Sequence, residues 1–432
     1  MVNGFELCKG KTNYKRGCTT INTSDLLDII EINVDEEYVN VEPLVTIGHL
    51  VKALYTRGYS LPVVPELDSL TVGDLIDGCG IGSSSKKYGL FQESCLSFEM
   101  VMSDGSLITS SKVKSEVTNP SNLALFYGIP WSYGSLGILV SAKLRIIPLK
   151  SFVKLTYIPC FSEEILHDVI SEEAADSDND FVEALLFRKH FGVVVKGTMF
   201  DKIDSQDEDC AVTGAWCEEP FYKHVKEIGD KRRIYTEYMP VLHYYHRHSR
   251  SIFWGLKKIE YLTNSCVFRH LFGWAMPPKM SLLKMFATHA VQSYYRKHHV
   301  TQGILVPLNH LNATIDFIDA EIEVYPIWLC PFALNPTTGF LRQTSGRRLM
   351  FCGICVYGDS LKCNAISLDN IKRIEQFVCS VSGFKMFIGK WCMSKSEFWD
   401  MFDSSLYDWL RLKYDCREAF PDVYEKICAL SA

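Results

Sequence analysis

The sequence predicts an α+β protein of two domains, and three observations carry that prediction. At 432 residues the chain exceeds what one hydrophobic core ordinarily serves. Over residues 31–110 short β-rich runs alternate with helical ones, and the pattern closes near residue 150. Beyond that point strand-like runs come first and helices follow, which divides the chain into 1–150 and 151–432.

In the first region, residues 38–45 read as a strand ending at Pro43. Residues 47–57 read as an amphipathic helix with Leu50, Ala53 and Leu54 on one side, stopped by Gly58. A short extended piece, 61–64, precedes Pro65. The runs 95–103 and 106–110 flank Asp104-Gly105, a strong hairpin signal. Residues 122–127 read as helix and 139–147 alternate as a strand before Pro148. In the second region, 181–187 and 192–199 are strands joined by the turn 188–190. Acidic stretches at 171–180 and 201–209 are expected to be solvated connections. Residues 220–300 are dense in aromatic and basic side chains, and 324–329 and 349–357 are further strands. Ile371, Ile374, Phe377 and Val381 fall at helical spacing, and Ser394-Lys-Ser-Glu397 is a capping box opening a last helix.

A hydrophobic fraction of 47% and a charged fraction of 22% are those of a globular protein. The net charge of −6 exerts no overall pull toward nucleic acid or anionic lipid. The sixteen cysteines are irregularly spaced and the polar start carries no apolar signal segment, which predicts reduced thiols rather than a disulfide framework. The longest apolar stretches, 137–149 and 268–286, are broken by Lys, Arg or Pro, short of the roughly 18–20 residues a membrane-spanning helix needs.

The chemistry concentrates in two glycine turns. The first runs Leu70-Thr71-Val72-Gly73, then Gly78-Cys79-Gly80-Ile81-Gly82-Ser83-Ser84-Ser85, ending at Gly89. Glycines let backbone approach a flat or phosphorylated ligand, and exposed N–H groups receive anionic oxygens. Gly78-x-Gly80-x-x-Ser83 looks like a damaged dinucleotide fingerprint, but residues 71–77 read as a helical turn where that fingerprint requires a strand. A glycine-rich surface loop without a ligand is the other reading. The second turn, Trp131-Ser-Tyr-Gly134-Ser-Leu-Gly137, stands directly before an apolar strand. Two such turns fit a large, planar, polar-edged cofactor, and flavin is one.

These residues resemble a known family. Val41-Glu42-Pro43, the run from Pro65 through Thr71-Val72-Gly73 to Gly80, and Gly134-Ser135-Leu136-Gly137 are similar to the flavin domain of vanillyl-alcohol-oxidase-type (PCMH) enzymes. Within that group the chain resembles the delta(24)-sterol reductase (24-dehydrocholesterol reductase, Diminuto) family. The matches include Ser83-Ser84-Ser85-x-Lys87-Tyr88-Gly89, His243-Tyr-Tyr-His246-Arg-His248, Tyr325-Pro-Ile-Trp328-Leu-Cys-Pro-Phe332 and Glu397-Phe-Trp-x-Met401-Phe-Asp403.

The resemblance implies an FAD-binding domain, incomplete at its start, followed by an α+β substrate or cap domain with an antiparallel sheet. It implies non-covalent FAD, NADPH as reductant, and reduction of the delta(24) side-chain double bond of a sterol (desmosterol to cholesterol type) by proton addition plus hydride from reduced flavin. FAD would be held by Thr71, Val72, Gly73, Asp74, Gly78, Cys79, Gly80, Ile81, Gly82, Ser83, Ser84 and Gly137. Asp74 stands where the family usually has glycine, and the family's membrane helix and pyrophosphate-gripping turn are expected upstream of Met1. The unactivated alkene calls for an acid, for which His243, His246 and His248 are candidates because imidazole titrates near neutrality. Trp254, Trp274, Tyr325 and Trp328 are candidates to line the sterol groove. The amphipathic run 271–284 suits peripheral membrane contact, and the resemblance implies the endoplasmic reticulum membrane. The rival readings are a non-catalytic sterol-binding or scaffold relative that has lost tight FAD, and a flavin oxidase acting on an alcohol or sugar acid.

Overall fold

The computed structural model describes residues 17–112, 119–202, 219–249, 298–336, 339–341, 343, 345–362 and 367–431. Its first region contributes β1 (Ile29–Asn33), β2 (Tyr38–Val41), β3 (Tyr59–Ser60), β4 (Cys95–Val101), β5 (Leu107–Ser111), β6 (Ile138–Arg145) and β7 (Ile147–Pro148). Five of these form an antiparallel sheet in the order β1-β2-β6-β4-β5, and β3 pairs with β7 in a separate ribbon. The Asp104-Gly105 hairpin joins β4 to β5, with Gly105 at φ +83°. Helix α1 (Ile47–Tyr55) starts where Thr46 accepts a hydrogen bond from the His49 amide and gives way to Gly58 at φ +76°. It buries Ile47, Leu50, Val51 and Leu54, whereas Ala53, expected beside Leu50 and Leu54, is only half-buried.

The second region builds an eight-stranded antiparallel sheet. Its strands are β8 (Phe152–Cys160), β9 (Phe181–Arg188), β10 (Phe191–Phe200), β11 (Tyr235–Pro240), β12 (His299–Pro307), β13 (Ile327–Leu334), β14 (Leu349–Asp359) and β15 (Phe384–Lys385). They lie in the order β11-β8-β10-β9-β13-β14-β12-β15. β13 is buried at every residue, so both of its faces are covered, which explains its unbroken apolar sequence. Part of that cover comes from the first region: the Cys330 thiol donates to the Gly82 carbonyl at 3.1 Å. A Cβ on Gly353 would stand 2.7 Å from Ile81.

One sequence expectation changes. The acidic stretch 171–180 is not a loop throughout, because the helix Glu163–Ala175 runs into it from a Ser162 cap. Leu166, Ile170 and Ala174 repeat every four residues and are buried, while Glu164, Asp168 and Glu172 are exposed. The stretch 201–209 lies almost wholly outside the described residues. The capping box at Ser394 forms as predicted, opening the helix Lys395–Met401.

Candidate functional site

The first glycine turn begins with a short helix, α2 (Val72–Asp77), capped by Thr71, whose hydroxyl accepts the Asp74 amide at 3.3 Å. Asp74 thus stands half-buried in the first turn of a helix, where a carboxylate is favoured by the helix dipole. A helix, not a strand, precedes Gly78, and this removes the dinucleotide-fingerprint geometry. The glycines that follow are packing glycines. A Cβ would stand 2.9 Å from the Pro43 side chain at Gly73, 2.4 Å from Phe91 at Gly80, and 2.7 Å from the Val64 carbonyl at Gly82.

The serines are committed as well. Gly82 donates to the Ser85 hydroxyl at 3.1 Å, and the Ser84 hydroxyl donates to the Pro62 carbonyl at 2.8 Å. The Ser83 amide donates to Glu66 at 3.0 Å, its hydroxyl accepts from Tyr244 at 3.0 Å, and its carbonyl accepts the Val182 amide at 2.8 Å. Each of these bonds pins the turn, and the last two pin it to the second region, at the helix Val241–Tyr245 and at β9.

Behind Ser83 lies a buried ionic cluster. Arg247 reaches Glu183 of β9 with two nitrogens, at 2.8 and 2.7 Å, and approaches Glu66 of the first region at 3.4 Å. Trp328 of β13 donates its indole N–H to Glu183 at 2.7 Å, and His248 Nε2 donates to the same oxygen at 3.2 Å. The Arg247 guanidinium also lies 4.0 Å above the Tyr244 ring. Burial would raise the Glu183 carboxyl, but Arg247 and then His248 overcome it and hold it well below the usual range. Glu66 lacks that full pairing, and burial pushes its carboxyl up to about 7 against the pull of Arg247. A bidentate arginine between two carboxylates ties residues 66, 83, 183, 247 and 328 into one unit.

The candidate acids therefore face different surroundings. His243 is exposed on the short helix Val241–Tyr245, and His248 belongs to the Glu183 cluster. His246 follows the same short helix, with both ring nitrogens buried and without a hydrogen-bond partner among the described residues. Burial lowers it to about 4, with Asp68 opposing and Lys52 and Arg247 assisting, so the imidazole is neutral at physiological pH. Of the groove candidates, Trp328 is buried in the ionic cluster, and Tyr325 donates its hydroxyl to Asp319 at 2.7 Å on the half-buried side of its segment. Trp254, Trp274 and the run 271–284 lie outside the described residues.

The second turn combines left-handed backbone at Trp131 (φ +68°), Tyr133 (+53°) and Gly134 (+66°) with a sharp entry into β6. A Cβ on Gly137 would stand 2.9 Å from the Val101 carbonyl. This turn touches α2, since the Trp131 amide donates to the Ile76 carbonyl at 3.3 Å and the Gly134 amide bonds the Asp77 carboxyl. The two glycine turns are thus one structure. Around them three buried polar atoms have no partner among the described residues: Gln92 Oε1, Ser94 Oγ and Ser132 Oγ. A cleft beside Gln92 is walled by Phe126, Trp131 and Phe340. An unsatisfied buried Gln92 oxygen next to aromatic walls fits a planar ligand with a polar rim, as FAD is.

Sequence reading did not single out Glu66, Glu183 or Arg247. The signal for Glu183 was present as a lone carboxylate within Phe-Val-Glu-Ala-Leu-Leu-Phe, since a charge inside an apolar strand requires a buried partner.

Residues 3–111 match the FAD binding domain family, which makes the first region an FAD-binding domain of the PCMH type in a chain of mixed helices and antiparallel sheet. Similarity to known proteins extends over almost the whole chain. It is 42% identical over 423 residues to a delta(24)-sterol reductase homolog of Caenorhabditis elegans, covering 96% of this chain and 80% of the relative. It is 42% identical over 404 residues to the human delta(24)-sterol reductase, covering 94% and 77%. The Pisum sativum delta(24)-sterol reductase is 35% identical over 444 residues, covering 96% and 77%. The chain belongs to the delta(24)-sterol reductase family.

Proposed function

We infer that this protein is an FAD-dependent reductase of the delta(24) double bond in sterol side chains, with NADPH as the reductant. The observation that carries this reading is a 42% identity to named delta(24)-sterol reductases over almost the whole chain, joined to an FAD-binding match over residues 3–111. Thr71, Val72, Gly73, Asp74, the 78–84 turn and Gly137 are the residues we assign to the cofactor. Bound FAD would supply hydride chemistry, while the protein must orient the sterol, exclude water and place one proton.

An isolated trisubstituted alkene is a poor hydride acceptor, so a group that protonates one carbon is needed beside it. Among the three histidines, His248 is held by Glu183 and burial keeps His246 neutral, so His243, exposed on its short helix, is our candidate for the acid. A sterol dissolved in lipid also favours peripheral membrane contact at the endoplasmic reticulum, for which 271–284 is our candidate segment. Among the described residues no helix is long and apolar enough to cross a membrane.

The test is the visible spectrum of the purified protein reconstituted with FAD. A stoichiometric flavin band, bleached by NADPH without oxygen and restored by a delta(24)-unsaturated sterol, is the expected result. A protein that binds sterol but never FAD would overturn it in favour of a non-catalytic sterol-binding relative. A band restored by an alcohol-oxidase cycle and not by the sterol would point to a flavin oxidase.

A further inference from the structure

The carbonyl oxygens of the second glycine turn do not face solvent. Lys426 donates its ammonium to the carbonyls of Tyr133, at 3.1 Å, and Gly134, at 2.7 Å. Arg411 donates to the Ser135 carbonyl at 2.6 Å, and the Cys416 thiol to that of Leu136 at 3.1 Å. Tyr407 completes the set by donating to the Ser135 hydroxyl at 2.9 Å while accepting the Val423 amide at 3.0 Å. Four consecutive carbonyls are therefore held by donors that lie more than 270 residues away in the C-terminal helices Ser405–Lys413, Cys416–Ala419 and Val423–Ser431.

Two of these donors are cations. A cation on a carbonyl oxygen polarises the peptide unit and makes the N–H groups on the other side of the turn more electropositive. It also fixes a backbone that would otherwise leave the left-handed region at Trp131 and Tyr133, which is unfavourable for bulky residues. The packing is close: a Cβ on Gly128 would stand 2.0 Å from Leu410.

We propose that the C-terminal helices are a collar that sets the second glycine turn for FAD, with Lys426 and Arg411 as positioning residues for the pyrophosphate-bearing cofactor. This rests on the flavoprotein reading above. Lys426 is the residue to test, because it is only partly buried and is not a member of the apolar core. Variants Lys426→Met and Lys426→Arg, with Tyr407→Phe as an isosteric second probe, are compared with wild type. FAD affinity of the apoprotein is read by flavin fluorescence, and the apoprotein melting temperature is read separately.

The expected result is a Kd for FAD raised ~10-fold or more in Lys426→Met, in line with loss of charge-assisted hydrogen bonds. Lys426→Arg should recover affinity to within ~3-fold, and Tyr407→Phe should weaken it ~3-fold. The apoprotein melting temperatures should stay within ~3 °C of wild type. An unchanged Kd in Lys426→Met and Tyr407→Phe, with FAD bound normally by wild type, overturns the collar alone. A Kd change that merely follows a large fall in apoprotein melting temperature, without recovery by arginine, overturns it too. Failure of the wild-type chain to bind FAD overturns the flavoprotein reading and the collar with it.

Discussion

Asp77 shows how a single side chain at the junction of the two turns can report on folding. Its carboxyl is 5% exposed, accepts the Gly134 amide and has Lys426 and Asp74 as charged neighbours. Burial raises it from an ordinary 3.8 to about 7, with Lys426 pulling down and Asp74 pushing further up. The folded protein thus keeps a proton that the unfolded chain releases, so stability falls as pH rises from about 4 to about 7 and is level above. Asp77→Asn fixes the neutral form and can still accept the Gly134 amide. Urea unfolding at pH 8 should find the variant at least as stable as wild type, with the difference shrinking as pH falls toward 4. A variant weaker at pH 8 than at pH 5, relative to wild type, would show that the charged form is the one the fold uses. Neither Asp77 nor Glu183 could be assigned from spacing alone. Both look like ordinary acidic positions until the chain folds, and the partner of Glu183 is an arginine 64 residues further on.

At the scale of elements, what was legible followed from local rules. The Asp104-Gly105 hairpin, the Thr46-capped helix and the Ser394 capping box are each fixed by residues within a few positions, and all three form. The helix Glu163–Ala175 is not legible in the stretch 171–180, because acidic composition there outweighs the four-residue repeat of Leu166, Ile170 and Ala174. The first glycine turn was legible as a close approach of backbone, but not as an approach to protein. Gly82 illustrates the point, since the atom a side chain would strike is the Val64 carbonyl, which cannot swing aside. Gly82→Ala should destabilise the protein by about 1–3 kcal/mol, as overpacking against backbone does. Gly105→Ala meets nothing within 4 Å but must hold φ +83°, and should lose about 1 kcal/mol. Chemical denaturation of the pair separates packing from backbone strain, and equal losses would argue against the close approach at Gly82.

At the scale of the whole molecule, the two sheets meet through charge rather than through apolar surface alone. Sequence patterning could divide the chain but could not show what joins its parts, because the joining residues are isolated polar positions far apart in sequence. Arg247 is the centre of that joint, with Glu66 on one side and Glu183 on the other. Arg247→Met preserves much of the side-chain volume and leaves two buried carboxylates without their cation. Breaking a buried pair in this way costs about 3–5 kcal/mol. The loss falls where the two regions meet, and domains held by a weakened interface unfold separately. Differential scanning calorimetry should therefore show one transition for wild type and two for Arg247→Met, the earlier one accompanied by exposure of Trp328. A variant that melts in a single transition at the wild-type temperature would mean that the Ser83–Val182 and Cys330–Gly82 contacts suffice to hold the regions together. Since the glycine turn carries Ser83 into this joint, loss of Arg247 should also weaken FAD binding, whereas a change confined to the outer edge of the second sheet should not.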